Sequence, residues 1–135
     1  MRAVLDPNVI ISALLSPAPS PAKLLRAWQQ GEFELIVSPI LLGELATALA
    51  YPKLRKRITC EEARRLVEWL AAGAVTAGDP GEQPPIQSPD PDDDYLIAVA
   101  HGERALLVSG DKHLLGLAGD VPVVSPAEFL VLLER

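Results

Sequence analysis

At 135 residues the chain has room for one hydrophobic core but not two ordinary ones, so residues 1–135 read as a single domain. Hydrophobic residues make up 49% of it, with only two each of Trp, Tyr and Phe, so the core must be aliphatic, which suits helices on a buried parallel sheet. The net charge of -6 argues against nucleic-acid binding driven by overall charge, and a lone Cys60 excludes an internal disulfide and, with only His101 and His113, a zinc site of the Cys/His kind.

From the start of the chain, Ala3-Val4-Leu5 is a short apolar run closed by Asp6-Pro7, because proline lacks an N–H and pushes the preceding residue to extended geometry. Asp6, Pro7 and Asn8 also interrupt what would be the apolar region of a signal peptide, and no later run approaches the length of a membrane span. A soluble, cytoplasmic protein is therefore expected. Val9 to Leu15 reads as a short apolar helix, and after the punctuation of Ser16 to Pro21 a second helix passes through Leu24, Leu25 and Trp28 to stop at Gly31. Phe33 to Val37 is the second strand.

Ser38-Pro39 opens an apolar helix from Ile40 to about Ala50, ended by Tyr51-Pro52. Lys53, Arg55, Lys56 and Arg57, followed by Arg64 and Arg65, form a local basic block. Thr59 with Glu61 and Glu62 opens the next helix, in which Leu66, Trp69 and Leu70 recur at helical spacing before Gly73. Ala74 to Ala77 is a weak third strand. Gly78 to Pro89 then holds four prolines and two glycines in twelve residues, a long connection of the kind that is often functional.

Asp90-Pro91-Asp92-Asp93-Asp94 runs straight into the apolar run Tyr95 to Ala100, in a helix expected from about Pro91 to His101 and ended by Gly102. Part of this acidity is what a helix start favours, with Asp90 as cap, Pro91 at the first position and acids in the first turn. Four carboxylates in five residues nevertheless repel one another unless a cation neutralises them. Ala105 to Val108 is a continuous apolar strand, followed by Ser109-Gly110-Asp111 and a short helix through Leu114 and Leu115. Val121 to Val124 is the last strand, and Ser125-Pro126-Ala127-Glu128 is a capping box that opens the last helix. The leucine-rich face of that helix serves as core or as an interface. Strands and helices alternate throughout, which predicts a three-layer α/β/α domain around a central, mainly parallel sheet of four to five strands.

In such sheets the ligand crevice lies beyond the carboxyl ends of the strands. Asp6 ends the first strand, Asp111 follows the fourth, and Asp93 and Asp94 stand in the first turn of a helix that starts at that edge. Glu44 shares a mostly apolar helix face with Ile40, Leu41, Thr47 and Ala48, so its carboxylate is expected to be half-buried and partnered. Each of these acids has an ordinary reading as a cap, a turn residue or a solvated side chain. Their joint occurrence points instead to one hard-cation site, and oxygen ligands select Mg²⁺ or Mn²⁺. Phosphodiester hydrolysis is the natural chemistry for such a site. No GxxxxGK[ST] loop is present, which disfavours a nucleoside triphosphatase. His101 and His113 need no catalytic role and are expected to be exposed helix residues.

Val4-Leu5-Asp6-Pro7-Asn8-Val9, Ser38-Pro39 with Glu44, Asp90 to Asp94, and Val108-Ser109-Gly110-Asp111-Lys112 together, in this order, resemble the PIN domain nucleases, in particular the VapC-like toxin components of toxin–antitoxin pairs. The resemblance spans essentially the whole chain. It implies a PIN-like sheet, a Mg²⁺- or Mn²⁺-dependent ribonuclease acting on RNA, and an antitoxin protein as partner; homodimers are common in the family. By position, Asp6, Glu44, Asp94 and Asp111 are implied as the catalytic, metal-holding acids, with Asn8 and Ser109 in support. Asp93 is the alternative to Asp94, because it shares a face with Leu96, Ile97 and Ala100. Pro7 stands where the family usually carries a hydroxyl residue. The block Lys53, Arg55, Lys56 and Arg57 is a candidate for holding the RNA backbone. The rival expectation is a PIN-like module that binds RNA or an antitoxin without cutting. A phosphoacceptor receiver domain fits less well, because Asp6 is not followed by a second acid.

Overall fold

The structure, a computed structural model, describes residues 1–15, 19–79, 94–119 and 121–134. The chain opens with β1 (Arg2–Leu5), α1 (Pro7–Leu15), α2 (Pro19–Gln29), β2 (Glu34–Val37) and α3 (Pro39–Leu49). It continues through α4 (Pro52–Arg55), α5 (Cys60–Gly73), β3 (Val75–Thr76) and α6 (Asp94–Gly102). β4 (Leu106–Val108), α7 (Lys112–Leu115), β5 (Val123–Val124) and α8 (Pro126–Leu133) complete it. Asp93 and the expected helix start at Asp90 to Asp92 lie outside the described residues, as do Ser16 to Ala18 and most of the proline-rich connection.

The five strands form one sheet in the order β3-β2-β1-β4-β5, and every pairing is parallel. Val4 lies opposite Ile36 on one side and Leu107 on the other. β1 is the central strand, which explains its continuous burial from Ala3 to Leu5: a strand covered on both faces has no solvated face to alternate with. The outer strands β3 and β5 are only two residues long, shorter than the four expected of each, because an edge strand is held from one side alone.

Chain direction along the sheet reverses once. From β1 the chain builds outward to β2 and β3, then returns past β1 to β4 and β5. Right-handed crossovers therefore put α1 to α5 on one face and α6 on the other. The contacts agree: α1 packs on α2 and α3, α3 on α5, and α2 on α8, whereas α6 packs on β1 and β4. The result is the three-layer arrangement, with its crevice at the carboxyl ends of β1 and β4, where strand order switches.

Local chemistry sets the helix starts. Ser38 caps α3 through its Oγ, and Thr59 with Glu62 and Ser125 with Glu128 form complete capping boxes, each cap being worth about 1 kcal/mol. The aliphatic core is joined by two edge-to-face aromatic pairs with ring centroids 5.0 Å apart, Phe33 with Phe129 and Trp28 with Trp69. The second pair leaves no room at Gly73, where a Cβ would lie 3.0 Å from the Trp28 ring.

One local expectation is corrected. Pro52 does not merely end α3; it occupies the first turn of the short helix α4, a position where its missing N–H costs nothing. Gly102 does end α6, but the left-handed residue that closes the turn is Arg104 (φ 52°), with the Ala105 N–H donating back to the Ala100 carbonyl at 2.9 Å. Gly31 takes the corresponding left-handed position after α2 at φ 76°. An arginine there carries about 1 kcal/mol of backbone strain that a glycine would not.

Candidate active site

The crevice at the ends of β1 and β4 is built by backbone continuation of the two strands. The Asp6 N–H donates to the Val108 carbonyl at 3.0 Å, and the Ser109 N–H to that of Val124 at 3.0 Å, so both residues are locked to the sheet. Their side chains meet although 103 positions separate them: Ser109 Oγ donates to Asp6 Oδ2 at 2.8 Å. The same Oγ accepts from the Asp111 N–H at 3.0 Å, and the Asn8 N–H donates to Asp6 Oδ1 at 3.0 Å. Asp111 in turn caps α7, its Oδ1 accepting from the His113 N–H at 2.7 Å. The ordinary cap chemistry of aspartate is therefore present at Asp111, and it fixes the side chain rather than removing it from the crevice.

Ser109 is wholly buried and Asp6 is 5% exposed. Burial pushes the Asp6 carboxyl above its ordinary range; the bonds from Asn8 and Ser109 oppose this, while the Asp111 charge adds to it. Among the described residues no cation acts on Asp6, which faces a like charge in Asp111. A cleft of about 350 Å³ opens beside it, lined among others by Asp6, Asn8, Ser12 and Asp111. Ser12 was not expected at the site; it lies one helical turn from Asn8, and that spacing on α1 was its only signal in the sequence.

Glu44 and Asp94 are approached from the other helices. Glu44 is exposed, not half-buried as its helix face suggested, because α3 buries Leu41, Leu45 and Leu49 and carries Glu44 on its flank. Its Oε2 does have a partner: the hydroxyl of Tyr95 donates to it at 2.8 Å. Tyr95 is buried and follows Asp94 directly, so one bond ties α3 to the start of α6. Asp94 is half-buried in the first turn of that helix. Asp79 is a further residue that sequence reasoning passed over; its Oδ1 accepts from the Ile40 N–H at 2.9 Å and secures the first turn of α3 from beyond β3.

The described residues thus join Asp6, Ser109 and Asp111 in one hydrogen-bonded chain and Glu44 with Tyr95 in another. They do not gather three or more of the acids and histidines into a single group suited to a metal ion. A hard cation does not require more: Mg²⁺ keeps several of its waters and is commonly held by one or two carboxylates. The donor set is all oxygen, and Asp6 is an acid whose burial and like-charged neighbour leave it under-compensated. These residues fit a divalent ion of the Mg²⁺ or Mn²⁺ kind.

The basic block is narrower than the sequence suggested. Arg64 is bonded to Glu61 and, at 2.6 Å, to Glu68, while Arg65 reaches Glu61 at 3.2 Å, so α5 neutralises its own cations. Lys53, Lys56 and Arg57 are exposed, and Arg55 is half-buried with its Nη1 lacking a hydrogen-bond partner among the described residues. This cluster is separated from Ser38 by the length of α3, about 16 Å at 1.5 Å per residue. His101 and His113 are exposed, as expected.

Comparison with known proteins agrees with this architecture. The uncharacterised protein MJ1680 of Methanocaldococcus jannaschii is 29% identical over 147 residues, which cover 100% of this chain and 93% of that protein. Among solved structures, PAE2754 from Pyrobaculum aerophilum superposes with a TM-score of 0.65 at 17% identity, covering 98% of this chain and 94% of that one. VapBC2 from Rickettsia felis, bound to a DNA fragment from its promoter, gives 0.63 at 14% identity over 93% and 98% of the two chains. VapBC-1 from nontypeable Haemophilus influenzae gives 0.63 at 19% identity over 94% and 99%. These likenesses show a shared fold. The family model for the PIN domain matches residues 2–113, most of the chain, and the protein belongs to the PIN domain family.

Proposed function

We propose that the protein is a divalent-metal-dependent endoribonuclease that hydrolyses RNA phosphodiester bonds and serves as the toxin of a toxin–antitoxin pair in the cytoplasm. The observation that carries this reading is the chain Asp111–Ser109–Asp6 at the strand-order switch, which sets two carboxylates at the crevice and leaves the buried one without a positive neighbour among the described residues. Asp6 and Asp111 hold the ion, Mg²⁺ or Mn²⁺, with Glu44 and Asp94 as the remaining acids of the site and Asp93 as the alternative to Asp94. When bound, such an ion neutralises charge on the scissile phosphate and polarises it toward attack by water.

The chain's own residues do the rest. Ser109 holds Asp6 in one rotamer through its hydroxyl, so the carboxylate is oriented before any ion or substrate arrives. Asn8 and Ser12 line the cleft on one face of α1 and present an amide and a hydroxyl to non-bridging phosphate oxygens. Tyr95 orients Glu44 and ties it to the helix that begins at Asp94. Lys53, Lys56 and Arg57, with Arg55 beside them, engage the RNA backbone farther along the strand. The VapBC relatives are pairs by name, which supports an antitoxin as partner here, and a homodimer is the expected assembly.

The test is cleavage of a mixed RNA pool by the purified protein with Mg²⁺, with Mn²⁺ and with chelator, beside Asp6→Asn and Asp111→Asn. Cutting that requires the metal and is lost in both variants is the expected result. The second reading, a PIN-like module that binds RNA or an antitoxin without cutting, is favoured by the absence of a three-acid group among the described residues. RNA retained but uncut under every metal condition would select it.

A further inference from the structure

A second cleft, of about 740 Å³, opens at the opposite edge of the sheet, where Arg2 begins β1 and Leu106 begins β4. β1 spans roughly 13 Å at 3.3 Å per residue, so this cleft is separate from the one at Asp6. Its volume lies within the range of small-molecule sites. Its character is the reverse of the acidic crevice. Half-buried Leu106 with exposed Pro122 and Met1 gives it an apolar wall, while Arg2, His101 and Arg104 stand around it. No carboxylate lines it among the described residues. The acid nearest in sequence, Glu103, is engaged with Arg2, whose Nη1 donates to the Glu103 carbonyl at 2.6 Å and lies 3.9 Å from its carboxylate. That contact anchors the guanidinium through one of its five donors.

Arg104 supplies the second observation. Among the described residues it is the only non-glycine residue at positive φ, in a position a glycine would occupy without strain. The turn after α6 sets this φ, but a glycine would meet it without strain, and non-glycine residues kept in such positions recur at ligand-binding sites. Here Arg104 delivers a planar, permanently charged fork to the mouth of an apolar cleft, a donor geometry that matches phosphate oxygens.

We infer that this cleft binds a phosphate monoester carrying a flat, weakly polar body, in chemical class a mononucleotide, with the phosphate between Arg104 and Arg2 and the body against Leu106 and Pro122. This goes beyond the nuclease reading and does not depend on it. The experiment is calorimetric titration of the full chain with AMP in the presence of chelator, so that no cation occupies the acidic crevice. Inorganic phosphate and adenosine are run in parallel, on the unaltered protein, Arg104→Gly and Asp6→Asn. The expected result is AMP binding with a dissociation constant on the order of 100 μM, weakened roughly tenfold or more in Arg104→Gly and unchanged in Asp6→Asn. Adenosine should give no heat, and phosphate alone should bind at least tenfold more weakly than AMP. Arg104→Gly relaxes the backbone, so it should fold as well as the unaltered chain and a loss of binding cannot be ascribed to unfolding. Equal AMP affinity in Arg104→Gly, loss of binding in Asp6→Asn, absence of AMP binding at millimolar concentration, or phosphate binding as tightly as AMP would each overturn the assignment.

Discussion

Ser109→Ala removes a single oxygen that makes two bonds in the middle of the candidate site. Ser109 Oγ donates to Asp6 Oδ2 and accepts from the Asp111 N–H, and the residue is wholly buried. A hydrogen bond to a charged partner contributes about 2 kcal/mol, and an amide left without its acceptor in a part-buried place costs about 1 kcal/mol more. The variant should therefore lose about 3 kcal/mol, which for a domain of this size lowers the melting temperature by roughly 10 °C. The loss should depend on pH in a definite sense. Asp6 already has a raised pKa, chiefly from burial, and the Ser109 bond works against that rise. Without the hydroxyl, ionised Asp6 is less tolerated still, whereas protonated Asp6 is affected less. The penalty should be largest near neutral pH and shrink as pH falls toward the ordinary carboxylate range. Urea denaturation at about pH 7 and pH 4 measures both quantities. A loss below about 1 kcal/mol, or one equal at the two pH values, would refute the claim that Ser109 holds an ionised Asp6. RNA cleavage by the same variant should fall as well, since the carboxylate is no longer held in place.

Asp6→Asn should behave in the opposite way without metal. A carboxyl whose pKa is raised by folding contributes stability that is present below its unfolded pKa and lost as pH rises through the folded value. At neutral pH the amide variant should thus melt at or above the unaltered protein, the gap closing toward acid, and Mg²⁺ should stabilise only the unaltered chain; a lower melting temperature for the variant at neutral pH contradicts this. Tyr95→Phe deletes the 2.8 Å bond to Glu44 and should cost about 1 kcal/mol, because Glu44 is exposed and water replaces part of the bond. Cleavage should drop with it, and full activity in Tyr95→Phe would remove Glu44 orientation from the mechanism. Replacing Lys53 and Lys56 together by Ala should raise the RNA dissociation constant and flatten its salt dependence by about 0.7 per charge in a log–log plot. Arg64→Ala should leave that slope unchanged, since Arg64 is committed to Glu61 and Glu68; the reverse ranking would move the RNA path onto α5.

Much of this fold is readable along the chain because its signals are local. Ser38-Pro39, Thr59 with Glu62, and Ser125 with Glu128 start helices through bonds that span three residues. Asp6-Pro7 ends a strand by the geometry of proline alone, and the continuous apolar runs of β1 and β4 follow from burial on both faces. The short helix α4 escaped because a proline that closes one helix can equally open the next. The left-handed residue after α6 escaped because glycine is the usual occupant and Gly102 stood two residues away from Arg104.

The amino-acid sequence by itself determined the alternation of strands and helices and the positions of the acids at strand ends and helix starts, since each depends on residues a few positions apart; the alternation implies a mainly parallel sheet, and the ordered set of motifs along the chain carries the family. Only the tertiary structure decided the strand order, and with it the switch that brings Asp6 to Ser109 across 103 positions and Tyr95 to Glu44 across 51. It also decided that Glu44 lies exposed on the flank of its helix and that Arg104 and Arg2 share a cleft at the far edge of the sheet. Contacts of this length arise from how whole layers pack, and no local periodicity encodes which face of one helix will meet which end of another.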